Sequence, residues 1–181
     1  MQNSPDIIQK ILKDVQIEAT EEFDRNFERK SFFESGTWEK TKYDNPKGSL
    51  MMRTGTLRKS IRSEIKDTCI TFTSSLPYAE IHNEGGEIVV TEQMKRYFWA
   101  KYYELSGKVK ATSKGKASKS SQKYSAQAEY YKNLALMKVG AKMTIPKRQF
   151  IGEHPNLTKR IETIISDNLE TFFKDCLNTK K

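Results

Sequence analysis

Cysteine is nearly absent from this chain. Its 181 residues include only Cys69 and Cys176, far apart and outside any CxxC, so neither a disulfide framework nor a zinc knuckle is indicated. A reduced cytosolic chain with two buried thiols is the expectation. Long hydrophobic runs are missing too: no stretch of consecutive apolar residues exceeds four, as in Leu134-Ala135-Leu136-Met137. A membrane helix needs about 20, so no membrane partner is expected. The first residues are polar and pass directly into a helical pattern, and no secretory signal is expected. There are only two histidines, His82 and His154, and neither has a second histidine or a cysteine at metal-ligand spacing. The GxSxG elbow, the GxxxxGK[ST] phosphate loop and the HExxH helix are all lacking. Gly85-Gly86 reads as a turn needing positive φ rather than as a dinucleotide loop. The acids are spread along exposed helix faces instead of being paired in an apolar setting that could hold one protonated. The sequence therefore assigns no catalytic residue, no metal and no cofactor, and the chain reads as something other than an enzyme.

Acid is missing from one particular place. Residues 106–123 (SGKVKATSKGKASKSSQK) contain Lys108, Lys110, Lys114, Lys116, Lys119 and Lys123 and no Asp or Glu. The whole chain carries +9, and without those six lysines 26 basic side chains face 23 acidic ones, or +3. This is a nearly balanced protein with one strongly basic segment. The segment has no aromatic residue and only Val109 as a β-branched aliphatic, too little to offset its ordering entropy, and is expected to be a flexible insertion. Its lysines are candidates for polyanion contact by counterion release, without aromatics interleaved to stack on bases.

What is present is patterned. Ser4-Pro5-Asp6 is a helix start, and Ile8, Ile11, Leu12, Val15, Ala19, Phe23 and Phe27 follow at three- and four-residue steps, predicting a helix over about 5–29. Residues 35–55 break the pattern around Trp38 and read as a long loop, a candidate partner-binding segment. Ser60–Ile65 and Cys69–Thr73 predict a β-hairpin, Pro77–His82 a turn or helical segment, and Glu87–Val90 a third strand. Thr91 caps a helix with Met94, Tyr97, Phe98 and Leu105, widened by Trp99 and Tyr102. Tyr97, Phe98, Trp99, Tyr102 and Tyr103 read as a core and interface face. A second helix resumes at about Ser125 and ends near Gly140, forming a helical hairpin that carries the insertion. Lys142–Ile145 is a fourth strand stopped by Pro146, and a final amphipathic helix opens at Asn156. The expected fold is α+β in a single domain over 1–181: an antiparallel sheet of about four strands packed against long N- and C-terminal helices.

Three short blocks carry a resemblance. Leu50-Met51-Met52-Arg53-Thr54-Gly55-Thr56-Leu57-Arg58-Lys59-Ser60-Ile61 resembles, with a one-residue offset at the threonine, the L-x-x-[TS]-G-x-L-x-x-S-I stretch of the phage virion morphogenesis family, the tail-completion proteins of Mu-like and related contractile-tailed phages. Tyr78 to Gly86 is similar to that family's Y-A-x-x-H-x-x-G, and Ile145 to Gly152 to its I-P-x-R-x-F-[LI]-G. The lysine tract is the main departure. The resemblance implies a virion component at the tail terminus or neck, present in the host cytoplasm before assembly. Its implied partners are other tail and neck proteins and further copies of itself in a ring, often sixfold.

Physically, Gly55 and Gly85-Gly86 make tight turns, and Pro146 ends a strand so that a loop presents Arg148 to a carboxylate and Phe150 to an apolar slot. The candidate partner-contact or motif residues are Trp38, Gly55, Leu57, Arg58, Ser60, Tyr78, His82, Gly85, Arg148 and Phe150. The alternative reading is a small DNA-binding accessory protein whose lysine loop holds duplex backbone without sequence preference.

Overall fold

The computed structural model describes residues 4–41, 49–109 and 119–178. The chain divides into two compact units: Met1–Lys40, Pro46–Gly85 and Pro146–Lys181 form the first, Thr41–Asn45 and Gly86–Ile145 the second.

The first unit begins with α1 (Ser4–Arg29). Val15, Ala19, Phe23 and Phe27, one turn apart, are all buried, as a single apolar stripe on a 3.6-residue period requires. The helix ends where Lys30 turns to a φ of 57°. Phe33 also has a positive φ, 49°, a conformation that a bulky side chain adopts only when its surroundings over-determine it. Here they do. Its N–H donates to Asn26 Oδ1 at 2.8 Å, and its ring stacks on His154 with centroids 4.5 Å apart and 5° between planes. Gly55, at a φ of 70°, leads into α2 (Thr56–Ser60), a five-residue helix absent from the sequence expectation.

The predicted hairpin is β1 (Ile61–Lys66) with β2 (Cys69–Ser74), antiparallel and in register from Ile61 opposite Ser74 to Lys66 opposite Cys69. Then come α3 (Ala79–Glu84) and, after the second unit, α6 (Pro155–Asn178), the last helix. Its start is secured by His154, whose Nδ1 accepts from Asn156 N at 3.1 Å. α6 packs along α1, tied to it by Asn168 Nδ2 donating to Asp14 Oδ2 at 3.0 Å and by Arg160 on Glu18 at 2.6 Å.

Two clusters make the core of this unit. Ala19, Phe23, Phe32, Phe33 and Leu157 form one, with Phe72 and Ile161 against it. Phe27, Trp38, Leu57, Ala79 and Phe150 form the other, and Ile151 packs against both. Full burial of a Phe is worth about 1.5–3 kcal/mol, so Phe27 and Phe150, 0% and 1% exposed, are principal anchors.

The second unit is built from β3 (Gly86–Val89), α4 (Glu92–Ser106), α5 (Lys119–Leu136) and β4 (Lys142–Ile145). β3 pairs antiparallel with β4, and the ladder continues through Val90 N to Ala141 O at 2.8 Å and Gly140 N to Val90 O at 2.9 Å. α4 and α5 pack as the expected helical hairpin, with Phe98 and Leu105 of α4 and Ala128 and Ala135 of α5 buried. Thr91 Oγ1 accepts from Met94 N at 3.2 Å, the anticipated cap.

The α+β class, the antiparallel pairing and the long terminal helices agree with the sequence, but several particulars differ. The four strands pair as two separate ribbons, β1 with β2 and β3 with β4. α5 starts at Lys119 instead of Ser125, because Ser121 is buried and small residues allow the turn to pack. It also stops at Leu136, short of Gly140. Both thiols are exposed: Cys69 opens β2 beside the hairpin turn, and Cys176 lies on the open end of α6.

Candidate functional site

The three sequence blocks meet in the second core cluster, and two asparagines hold the last of them there. Asn26, completely buried on α1, accepts from Phe33 N and donates through Nδ2 to Phe150 O at 3.2 Å. Asn83 Oδ1 accepts from Phe150 N at 2.9 Å and Ile151 N at 3.0 Å, while its Nδ2 donates to Ile151 O at 3.1 Å. Arg148 N donates to His82 O at 2.8 Å. Trp38 Nε1 donates to Gln149 O at 3.0 Å, closing the ring of contacts around residues 148–151. Buried backbone groups need partners, and this irregular segment finds them in the side chains of Asn26, Trp38 and Asn83 and in the backbone carbonyl of His82. Gly152, at a φ of 150°, ends the segment where a Cβ would run into the Gln149 side chain.

Most of the residues singled out in the sequence are thus engaged inside the first unit. Trp38, Leu57 and Phe150 are buried together, and the apolar slot anticipated for Phe150 is the chain's own. Arg148 is buried as well, and its Nε donates to the Glu39 carbonyl at 3.0 Å, not to a carboxylate. Desolvation lowers its pKa, with the Glu39 charge opposing. Ser60 Oγ donates to Leu57 O at 2.7 Å and meets Ser74 Oγ at 2.7 Å, locking α2 to the hairpin. Gly85 terminates α3.

Tyr78 is exposed and sets its ring edge-on to His82 at 6.0 Å. The sequence favours a hydrogen-bonding role for the His82 side chain, but its Nδ1 is buried without a partner among the described residues. Burial, then the nearby Arg148 charge, pushes its pKa below the usual 6.5.

Arg58 faces outward from α2 and grips α1, bidentate to Asp24 and to Glu28 at 2.8 Å. These hydrogen bonds raise its pKa further above the usual range. Arg58, Asp24 and Glu28 wall a groove of about 450 Å³ floored by Ile61. One turn away Glu22, expected on an exposed face, is fully covered. Arg25, Arg29 at 3.0 Å and Arg160 at 3.1 Å surround it. Burial raises its pKa, but the hydrogen bonds from Arg25 and Arg29 and the Arg160 charge outweigh that and leave it lowered. These carboxylates are paired acceptors. Among the described residues no group of three His, Cys, Asp or Glu side chains is placed to hold a metal ion.

The model of the phage virion morphogenesis family matches residues 29–170. The chain belongs to the phage virion morphogenesis family. No curated protein and no solved structure matches it. Membership carries a phage structural and assembly role, associated with the virion, and lends no support to the competing DNA-binding reading. The matched span contains Trp38, all three blocks and the whole second unit, while most of α1 and the end of α6 lie outside it.

Three surfaces of this virion morphogenesis protein remain unabsorbed by the core. The first is basic. Thr41–Asn45 and Gly86–Ile145 carry 13 Lys and Arg against 5 Asp and Glu, or +8, leaving +1 for the first unit. Of the lysine candidates, Lys110, Lys114 and Lys116 lie outside the described residues. Lys119 and Lys123 belong to α5 rather than to an insertion. Lys108 pairs with Glu104 at 2.7 Å, as does Lys101, and the two lysines bring the Glu104 pKa down to about 2.

The second surface is aromatic. Trp99 stacks on Tyr103 with centroids 5.9 Å apart, and Tyr102 leans against both. The third is the far half of α6, where Ile165, Leu169, Phe173 and Leu177 are exposed at four-residue steps. The sequence places them on one broad apolar face with Leu157 and Ile161, but only the front of that face is covered. No described helix is long and apolar enough to cross a membrane.

Proposed function

We propose that this protein completes the phage tail and joins it to the DNA-filled head, acting without catalysis as a homo-oligomeric ring, a hexamer, at the tail terminus. The observation that carries the reading is the convergence of the three family blocks, through Leu57, Ala79 and Phe150, on the cluster around Phe27. The blocks the family match spans are spent on holding a frame, and the surfaces left over are apolar, aromatic and basic, as docking requires. Its partners are other tail and neck proteins, and it waits in the host cytoplasm before incorporation.

Deleting the gene in a phage-producing strain and imaging the lysate tests this. Full heads and unattached tails lying separately are the expected result; normal infectious particles would overturn it.

A further inference from the structure

The second unit concentrates charge and aromatic surface in one helical hairpin. Six of the chain's eight tyrosines and one of its two tryptophans fall within Gly86–Ile145. Phe98 and Leu105 face α5 and are buried. Arg96, Trp99 and Tyr103, at i, i+3 and i+7, form a row on the other side of α4. Tyr103 is 67% exposed, and the half-buried Trp99 owes part of its cover to Tyr102 and Tyr103 themselves. Among the described residues Arg96, Lys123 and Lys138 make no ion pair, while Glu104, the acid nearest Tyr103 in sequence, is neutralised by Lys101 and Lys108. Trp, Tyr and Arg are the residues that dominate binding energy at the centre of protein interfaces, and a surrounding field of one sign steers a partner of the other.

We propose that the Arg96–Trp99–Tyr103 row of α4 is the centre of a docking surface for an acidic protein of the virion. The inference rests on the proposed assembly role and adds the chemistry of the partner: net negative, with an apolar depression to receive Trp99 and Tyr103. A second copy of this chain does not fit that description, because its second unit repeats the +8 and its other unit, at +1, offers no net counter-charge. Duplex DNA uses the charge but leaves the aromatic row idle, since stacking needs unpaired bases.

The test uses full-length protein and two probes, tails and DNA-filled heads purified separately from a strain lacking the gene. Wild-type protein sediments with one of the two and restores infectivity to the mixture. Trp99→Ser with Tyr103→Ser weakens sedimentation at least tenfold, Arg96→Glu weakens it and makes it less dependent on salt, and excess linear duplex does not compete. Unchanged thermal melting of Arg96→Glu, a wholly surface change, separates lost docking from lost fold.

Variants that bind and restore like wild type overturn the docking surface and leave the assembly role standing. Displacement by duplex assigns the hairpin to DNA, and self-association lost on Trp99→Ser assigns it to a second copy; either overturns the proposal. Wild-type protein that sediments with neither particle and restores nothing overturns both this inference and the assembly role.

Discussion

Two asparagine side chains and the backbone carbonyl of His82 decide how the loop of residues 148–151 is held. Replacing Asn26 with Ala leaves the Phe33 N–H and the Phe150 carbonyl buried without partners. At about 1–3 kcal/mol per unsatisfied group, urea unfolding should show a loss of about 2–6 kcal/mol. Burial, then the Arg148 charge, lowers the His82 pKa in the folded state. As pH falls below 6.5 the unfolded chain takes up that proton first, so stability drops over this window and levels off once the folded value is passed. Urea midpoints at pH 7.5 and 5.5 should differ in wild type and differ less in His82→Asn. Glu22 acts lower on the scale: its depressed pKa contributes stability above the usual 4.5 that is lost as pH falls through the folded value. Asn26 leaves a trace in the sequence, a polar residue beside Phe23 and Phe27 on an otherwise apolar stripe. Asn83 leaves none, because its partners are backbone groups nearly 70 positions away.

At the scale of elements, burial separates residues that look alike in the sequence. Phe150 and Tyr78 both stand in family blocks, yet one is 1% exposed and the other 41%. Phe150→Ala should cost about 3–5 kcal/mol by the loss of a large buried side chain and the cavity left behind, whereas Tyr78→Ala should cost less than about 1 kcal/mol; calorimetric melting of both variants checks the contrast. α6 divides in the same way along its length. Leu157 is in the core, but Phe173 and Leu177 are 59% and 72% exposed, so Phe173→Ser with Leu177→Ser should change folding stability by no more than about 0.5 kcal/mol. The periodicity of α6 was plain in the sequence, since a helix announces its apolar face. Which turns of that face are covered depends on where α1 ends and on what else reaches it, and no local pattern carries that information. The early start of α5 has the same origin: Lys and Ser have modest helix preference, and packing of Ser121 and Ala128 against α4 supplies the stabilisation that propensity lacks.

For the whole molecule, the consequential feature is that charge is partitioned between units, +8 in one and +1 in the other. The excess positive charge therefore lies in the second unit, while α1 is laced with attractive pairs through Arg25, Arg29, Arg58 and Arg160. Raising salt from low to moderate concentration screens both, so amide hydrogen exchange should slow in α4 and α5 and stay unchanged or quicken in α1. Equal responses in the two units would contradict the partition. The sequence by itself determined the long terminal helices and the four strands, the charge of the lysine tract and the family, because periodicity, composition and short blocks are local and survive without coordinates. Only the tertiary structure decided that Asn26 and Asn83 hold the 148–151 segment, that four strands pair as two ribbons, and that Arg148 and Phe150 face inward. Those outcomes depend on which distant groups satisfy a buried carbonyl or fill a space, and such partners are fixed by the folded chain.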